Sequence, residues 1–385
     1  MSYNSSYFFG EDKISGWGWR YFFGFYSEFG EEKSGIILEV CIFICIFILS
    51  IITNLMIAAA VLKYPEMRTV TNCFLLNLTV ADIAFVAGVP FLIYIRLNSG
   101  WMLGNVVCKI LPYSQFVCGF VLLWTLMWIS MDRHRCIVIP PFRSQLTPKR
   151  ASMLTAITWL IALVVFLPVV IWFREQTVND NLRICTLVFP RNDRVNVSLI
   201  FIVPTLLLTC VTPLTLFVYH YQRIFRKLNE TRDRWKENEK NKYPSNKSDV
   251  LRQQEEIRLS RHIRVIRILL LNVIVVLVMW LPISVIMFLI YVDGSRPNED
   301  TNFFLRSHHF IWSLQIALFN TVVNPLVYGV LSENFRKCFS RMWFRSQRRK
   351  ALNKIYNDPF AHNGSRTPTF HKSHFQFTNS ISIID

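Results

Sequence analysis

The chain has 385 residues, of which 52% are apolar and only 17% charged, with a mean hydropathy of +0.32. That balance is too apolar for a pair of soluble domains and points to a membrane protein. The net charge of +17 is read as a topology signal rather than as a nucleic-acid footprint, because the basic residues gather on one side of the spans described next.

Residues 1–34 form a tail rich in Tyr, Phe and Trp, with Glu28, Glu31 and Glu32 and the glycosylation pattern Asn4-Ser5-Ser6. Its aromatics suit the lipid interface better than a ligand. Seven apolar blocks follow, roughly Gly35–Leu62, Cys73–Tyr94, Val106–Met131, Ala151–Trp172, Val195–Tyr221, Ile263–Val292 and Phe310–Val330. Each is near the ~20 residues that a helix needs to cross a bilayer. With the N-terminus outside, 31 of the 42 Lys and Arg residues fall on the inner side and the other 11 on the outer side, which fixes the expected orientation. No apolar block sits at the extreme N-terminus behind a basic start, so no cleavable signal peptide is expected.

The connection between the fifth and sixth blocks, about Gln222 to His262, is long, polar and basic, and no internal repeat marks the chain. After the seventh block, "SENFRKCFSRMWFRSQRRK" places Phe335, Phe339 and Trp343 at four-residue spacing between Arg and Lys. That pattern predicts an amphipathic helix lying in the interface, with Cys338 a palmitoylation candidate. The expected organisation is a tail over 1–34, an all-α seven-helix bundle over 35–331, an interfacial helix over 332–350, and a polar Ser/Thr-rich inner tail over 351–385.

Intramembrane polar residues are costly and are therefore functional candidates. Asn54 stands in the first span, Asp82 in the second, and Asn320 and Asn324 in the seventh, a set able to form one polar cluster at mid-bundle. At the inner end of the third span, "MDRHRC" drops Asp132, Arg133, His134 and Arg135 into an apolar run. Trp280 and Pro282 share a turn of the sixth span, where the missing proline N–H makes a natural pivot.

These marks together resemble the rhodopsin family of G-protein-coupled receptors, span by span. Asn54, "NLTVAD" with Asp82, "WMLGNVVC" with Cys108, "MDRHRC", Trp159, Pro213 with Tyr221, "MWLP" and "NPLVY" with Asn324, Pro325 and Tyr328 fall in order. Thr53 stands where the family usually has glycine, and His134 where it has tyrosine. The resemblance implies a seven-helix receptor whose partners are a heterotrimeric G protein and, through the Ser/Thr-rich tail, arrestin and a receptor kinase. It also implies a switch built from Asp132, Arg133, Tyr221, Trp280, Pro282, Asn324, Pro325 and Tyr328, in which the sixth span swings about Pro282.

The family pattern pairs Cys108 with Cys185, and compartment agrees: the other seven cysteines lie in spans or on the inner side. Relatives hold sodium near the second-span aspartate with a third-span hydroxyl, but Leu122 stands at that position, so a hydrated polar network is expected instead. His262 stands where many relatives carry a glutamate that locks the arginine, which implies a loosely held latch and raised basal activity.

For the ligand, the aspartate that binds amines in relatives is replaced by Gln115, which argues against aminergic ligands. "IRLNSGWMLGN", "ICTLVFP" and "VMWLPI" resemble receptors for long-chain free fatty acids, and several of these stretches are shared with neuropeptide receptors. The first resemblance implies a fatty acid whose carboxylate pairs with Arg96, with Gln115, Trp280 and Arg183 lining the site. The second implies a peptide. No metal-spaced cluster, phosphate loop or catalytic triad is present in the sequence, so neither an enzyme nor a cofactor is expected, and the lack of repeats and charged mid-membrane helices argues against a transporter.

Overall fold

The computed structural model describes residues 21–25, 33–98, 101–139, 144, 146–178, 182–188, 197–240, 267, 270–271, 273–285, 308–342 and 344. Among these, six helices are long and apolar enough to cross a membrane: Gly35–Lys63, Val70–Leu97, Gly104–Val138, Pro148–Trp172, Val203–Thr231 and Ile311–Leu331. The sixth span is described over a shorter apolar helix, Val273–Val285.

Local chemistry sets the helix ends. The first span, Lys33–Lys63, stops before Pro65, which drives Tyr64 to an extended φ of −105° and ψ of 113°. Thr69 then caps the second span by accepting from Asn72 N, and Thr147 caps the fourth by accepting from Arg150 N, with Pro148 at the first helical position. The spans are interrupted where proline withholds an N–H. The second breaks at Ala87 and Gly88 just before Pro90, and the fourth breaks at Phe166 just before Pro168. In the fifth, a π-turn over Leu207–Val211 precedes Pro213.

The third span, Gly104–Val138, has 35 residues, about 52 Å at 1.5 Å per residue. That exceeds the ~30 Å of hydrocarbon even when tilted, so Asp132 to Arg135 reach the interface. It packs against the second, fourth and fifth spans, while the first packs against the second and seventh. Polarity is inverted relative to a soluble bundle. Asn54, Asp82, Asn320 and Asn324 are buried, whereas Ile48, Ile52, Leu160, Ile171, Val278 and Leu281 face outward, where lipid would solvate them.

One end of the bundle carries a small antiparallel sheet in the order β1-β3-β2, from β1 (Tyr21–Phe25), β2 (Phe173–Val178) and β3 (Leu182–Val188). The strand from the tail is an addition to the all-α expectation. A run of aromatics suits a strand as readily as a lipid interface, and here its backbone finds a ladder on β3. Beyond Ser332 the chain resumes as helix over 333–342, inside the stretch expected to be interfacial.

Candidate functional site

At the sheet end, the hairpin of β2 and β3 is fixed to the third span at three points. Cys108 and Cys185 form a disulfide, Trp101 N–H donates to Arg183 O at 2.7 Å, and Glu175 N–H donates to Asn105 Oδ1 at 3.2 Å. Gly104, at φ +75°, lets the chain turn into the third span, and Trp101 Nε1 closes that turn on Gly104 O at 2.9 Å.

The residues expected to meet a ligand divide here. Arg183 is exposed, 3.4 Å from Glu175. Arg96 is not the rim cation that a fatty acid would need: its side chain is 2% exposed, and Nε lies 2.7 Å from Glu39 Oε2, itself 1% exposed. Gln315 Nε2 donates to Glu39 O at 2.8 Å, so the first, second and seventh spans meet at this pair. The carboxylate expected of a ligand is supplied by the chain. Gln115 donates through Nε2 to Phe85 O at 2.9 Å, across the break in the second span. A side chain on Gly88 would put its Cβ 2.7 Å from that Nε2, so the glycine makes the contact possible. Trp280 lies deeper, its ring centroid 5.7 Å from that of Phe85, and packs over Gly119. Its Nε1 has no partner among the described residues.

The mid-bundle cluster is looser than expected. Asn324 Nδ2 reaches Asp82 Oδ2 at 3.2 Å, joining the seventh span to the second. Asn54 instead spends its amide on backbone, donating to Thr321 O at 2.8 Å and Ser50 O at 3.0 Å. Neither polar atom of the Asn320 side chain has a partner among the described residues, and the same holds for Tyr328 Oη. Orphaned amides at this depth need water to satisfy them, which suits a hydrated interior.

At the opposite end, Arg133 Nη2 lies 2.6 Å from Asp132 Oδ2 and also donates to Thr71 Oγ1 on the second span. Ser144 Oγ donates to Asp132 Oδ1 at 2.6 Å, so both carboxylate oxygens are engaged. His134 meets His220 of the fifth span, ring centroids 4.9 Å apart. Tyr221 stacks on Phe217, and Pro282 and Pro325 lie inside their helices. Asn4, His262 and the basic residues Arg261 and Arg264 lie outside the described residues. Cys338, the palmitoylation candidate, is 3% exposed.

Glu39, Thr71, Ser144 and His220 were missed by sequence reasoning. Glu39 alone carried a usable signal, an acid inside an apolar block. Asn77 ties three spans, accepting from Trp159 Nε1 at 2.8 Å and donating to Thr125 Oγ1 at 2.7 Å.

This geometry, with an arginine latch under the third span and a disulfide-held hairpin over its other end, goes with a match of residues 53–328, well over half of the chain, to the 7 transmembrane receptor (rhodopsin family). The chain belongs to that family. It is a multi-pass membrane receptor of the G-protein-coupled kind and not an enzyme. Among curated proteins it is similar to neuropeptide Y receptor type 2 of Mus musculus, 29% identical over 84% of this chain and 79% of the relative. The receptors of the same name from Homo sapiens, 28% identical over the same shares, and Gallus gallus, 28% identical over 76% of this chain and 72% of the relative, are comparably similar. The receptor reading of "MDRHRC", "NPLVY" and the cysteine pair is therefore the family's, with departures at Thr53, His134 and Leu122.

Proposed function

We propose that the receptor binds an extracellular peptide of the neuropeptide class at the sheet end and activates a heterotrimeric G protein at the Arg133 end. The observation that carries the choice of peptide over fatty acid is the Glu39–Arg96 pair. An arginine buried against a carboxylate is already charge-compensated, which weakens its pull on the carboxylate of a ligand. Similarity to neuropeptide Y receptors over most of the chain supports the same choice. Orientation rests on the Lys/Arg asymmetry and on the disulfide, which belongs on the oxidising side, so the sheet end faces out.

The mechanism is a two-state equilibrium shifted by differential affinity. A peptide held by Gln115 and Arg183 presses on Trp280. The sixth span then pivots at Pro282, and Arg133 leaves Asp132 for the G-protein's helix, with Tyr221, Asn324, Pro325 and Tyr328 repacking beneath it. Arrestin and a receptor kinase would act on the Ser/Thr-rich tail. Cells expressing the receptor are challenged with a neuropeptide library and with long-chain fatty acids, and G-protein dissociation is read. Peptide responses that survive Arg96→Met combined with Glu39→Leu are expected; a fatty-acid response, abolished by that double replacement at an unchanged surface level, would overturn the reading.

A further inference from the structure

The sheet holds a feature that receptor function does not require. β3 is paired on both sides, with β2 of its own hairpin and with β1 from the tail, through Tyr21 opposite Val188, Gly24 opposite Thr186 and Phe25 opposite Cys185. Two hydrogen bonds set the facing of the backbone. Glu175 N–H points to Asn105 and Arg183 O to Trp101, both away from the ladder between β2 and β3. By the two-residue alternation of an antiparallel ladder, Cys185 shares the outward side of Arg183, and its N–H and C=O face β1. The outer edge of β3 is therefore taken at Arg183 by the third-span turn and from Cys185 to Val188 by the tail.

That edge is also preformed. The disulfide, the Trp101 bond and the Asn105 bond hold the hairpin without help from β1. An open, rigid edge pairs readily with any extended chain, since its ladder groups are already ordered. We propose that the outer edge of β3, Cys185–Val188, is a strand-docking site, and that Tyr21–Phe25 is its resting occupant, held there as a tethered strand. Only residues 26–32 separate β1 from the helix beginning at Lys33, so tethering gives the tail a high effective concentration at the edge. An extended peptide that uses the same edge must first displace it. The assignment concerns backbone pairing and stands whatever ligand the bundle takes.

Two measurements on the full receptor test it. In the first, Gly24→Cys and Thr186→Cys are combined, the pair in register beside Phe25 and Cys185, since non-hydrogen-bonded antiparallel partners lie within disulfide reach. An epitope is fused to the N-terminus and a protease site is inserted after Phe29. Cleaved tail is expected to stay on the receptor until reduction in the double variant and to leave in each single variant. A tail that leaves the double variant would falsify the pairing. In the second, a fluorescent peptide of residues 19–27 is titrated onto surface-expressed receptor, intact or lacking residues 1–27. Binding at least tenfold tighter to the shortened receptor is expected, with the gain lost for the peptide carrying Phe25→Pro, which removes an N–H facing β3. Equal binding to both receptors, or binding indifferent to the proline, overturns the docking site. Should the shortened receptor not reach the surface, Phe25→Pro in the full chain serves in its place and is expected to admit the peptide equally well.

Discussion

Replacing Glu39 with Gln keeps the volume of the side chain and removes its charge, which leaves Arg96 buried without its carboxylate. At 2.7 Å and an effective dielectric constant of about 20, the gross attraction between the two charges is about 6 kcal/mol. Desolvating two ions costs several kcal/mol each, so the intact pair contributes little net stability. The asymmetry lies in removing one member. Glu39→Gln or Arg96→Met alone should each cost about 3–5 kcal/mol, while Glu39→Leu with Arg96→Met should recover most of that loss. Thermal unfolding of receptor purified into lipid nanodiscs, followed with a thiol-reactive dye at the buried Cys118, measures the cycle. The reasoning fails if Glu39→Gln melts with the parent, or if the double replacement is no more stable than the worse of the singles. Either result would mean that Arg96 does not depend on Glu39, which would return the fatty-acid reading to contention.

Three further outcomes follow from the same geometry. Asp132→Asn should raise ligand-free G-protein activation severalfold by weakening the hold on Arg133, and Ser144→Ala, which frees one oxygen of Asp132, should raise it by less; a basal signalling assay that leaves both at the parent level refutes the latch. Gln115→Ala should lower peptide potency and Gly88→Ala should do so in part, since the added Cβ would lie 2.7 Å from Gln115 Nε2 and force that side chain to shift; unchanged potency in Gly88→Ala alone would separate the two residues. Asn324→Ala strips Asp82 of its amide donor and should cost about 1.5–3 kcal/mol, while Asn320→Ala should cost under about 1 kcal/mol, which melting of the two variants compares directly.

What the sequence made legible and what it did not separate along physical lines. The spans were legible because lipid imposes length and apolarity on every block, and the family marks were legible because each is a residue type that a membrane helix otherwise avoids or cannot accommodate without a kink. Asp82 and Asn324 were grouped for that reason, and the structure brings them within hydrogen-bond distance. Asn54 and Asn320 were grouped with them by type, but an amide can satisfy itself on a neighbouring carbonyl, and Asn54 does so at Thr321. Nothing in residue identity distinguishes those outcomes. The partners of the latch were opaque for a related reason. Thr71 and Ser144 are common near helix ends, and only the packing of the second and third spans brings Thr71 to Arg133, so their role exists in three dimensions alone. Arg96 is the instructive case. A lone arginine beside an outer loop reads as a ligand contact only while its surroundings are taken as solvent, and an acid 57 residues earlier in the chain, in a span otherwise without charge up to Lys63, was already evidence that some cation had to be near. The carboxylate inside the first apolar block therefore carried more information about the ligand than the arginine did. With Glu39 and Arg96 engaged in joining three helices, the proposed peptide reading leaves recognition to Gln115, Arg183 and the backbone groups of the sheet end.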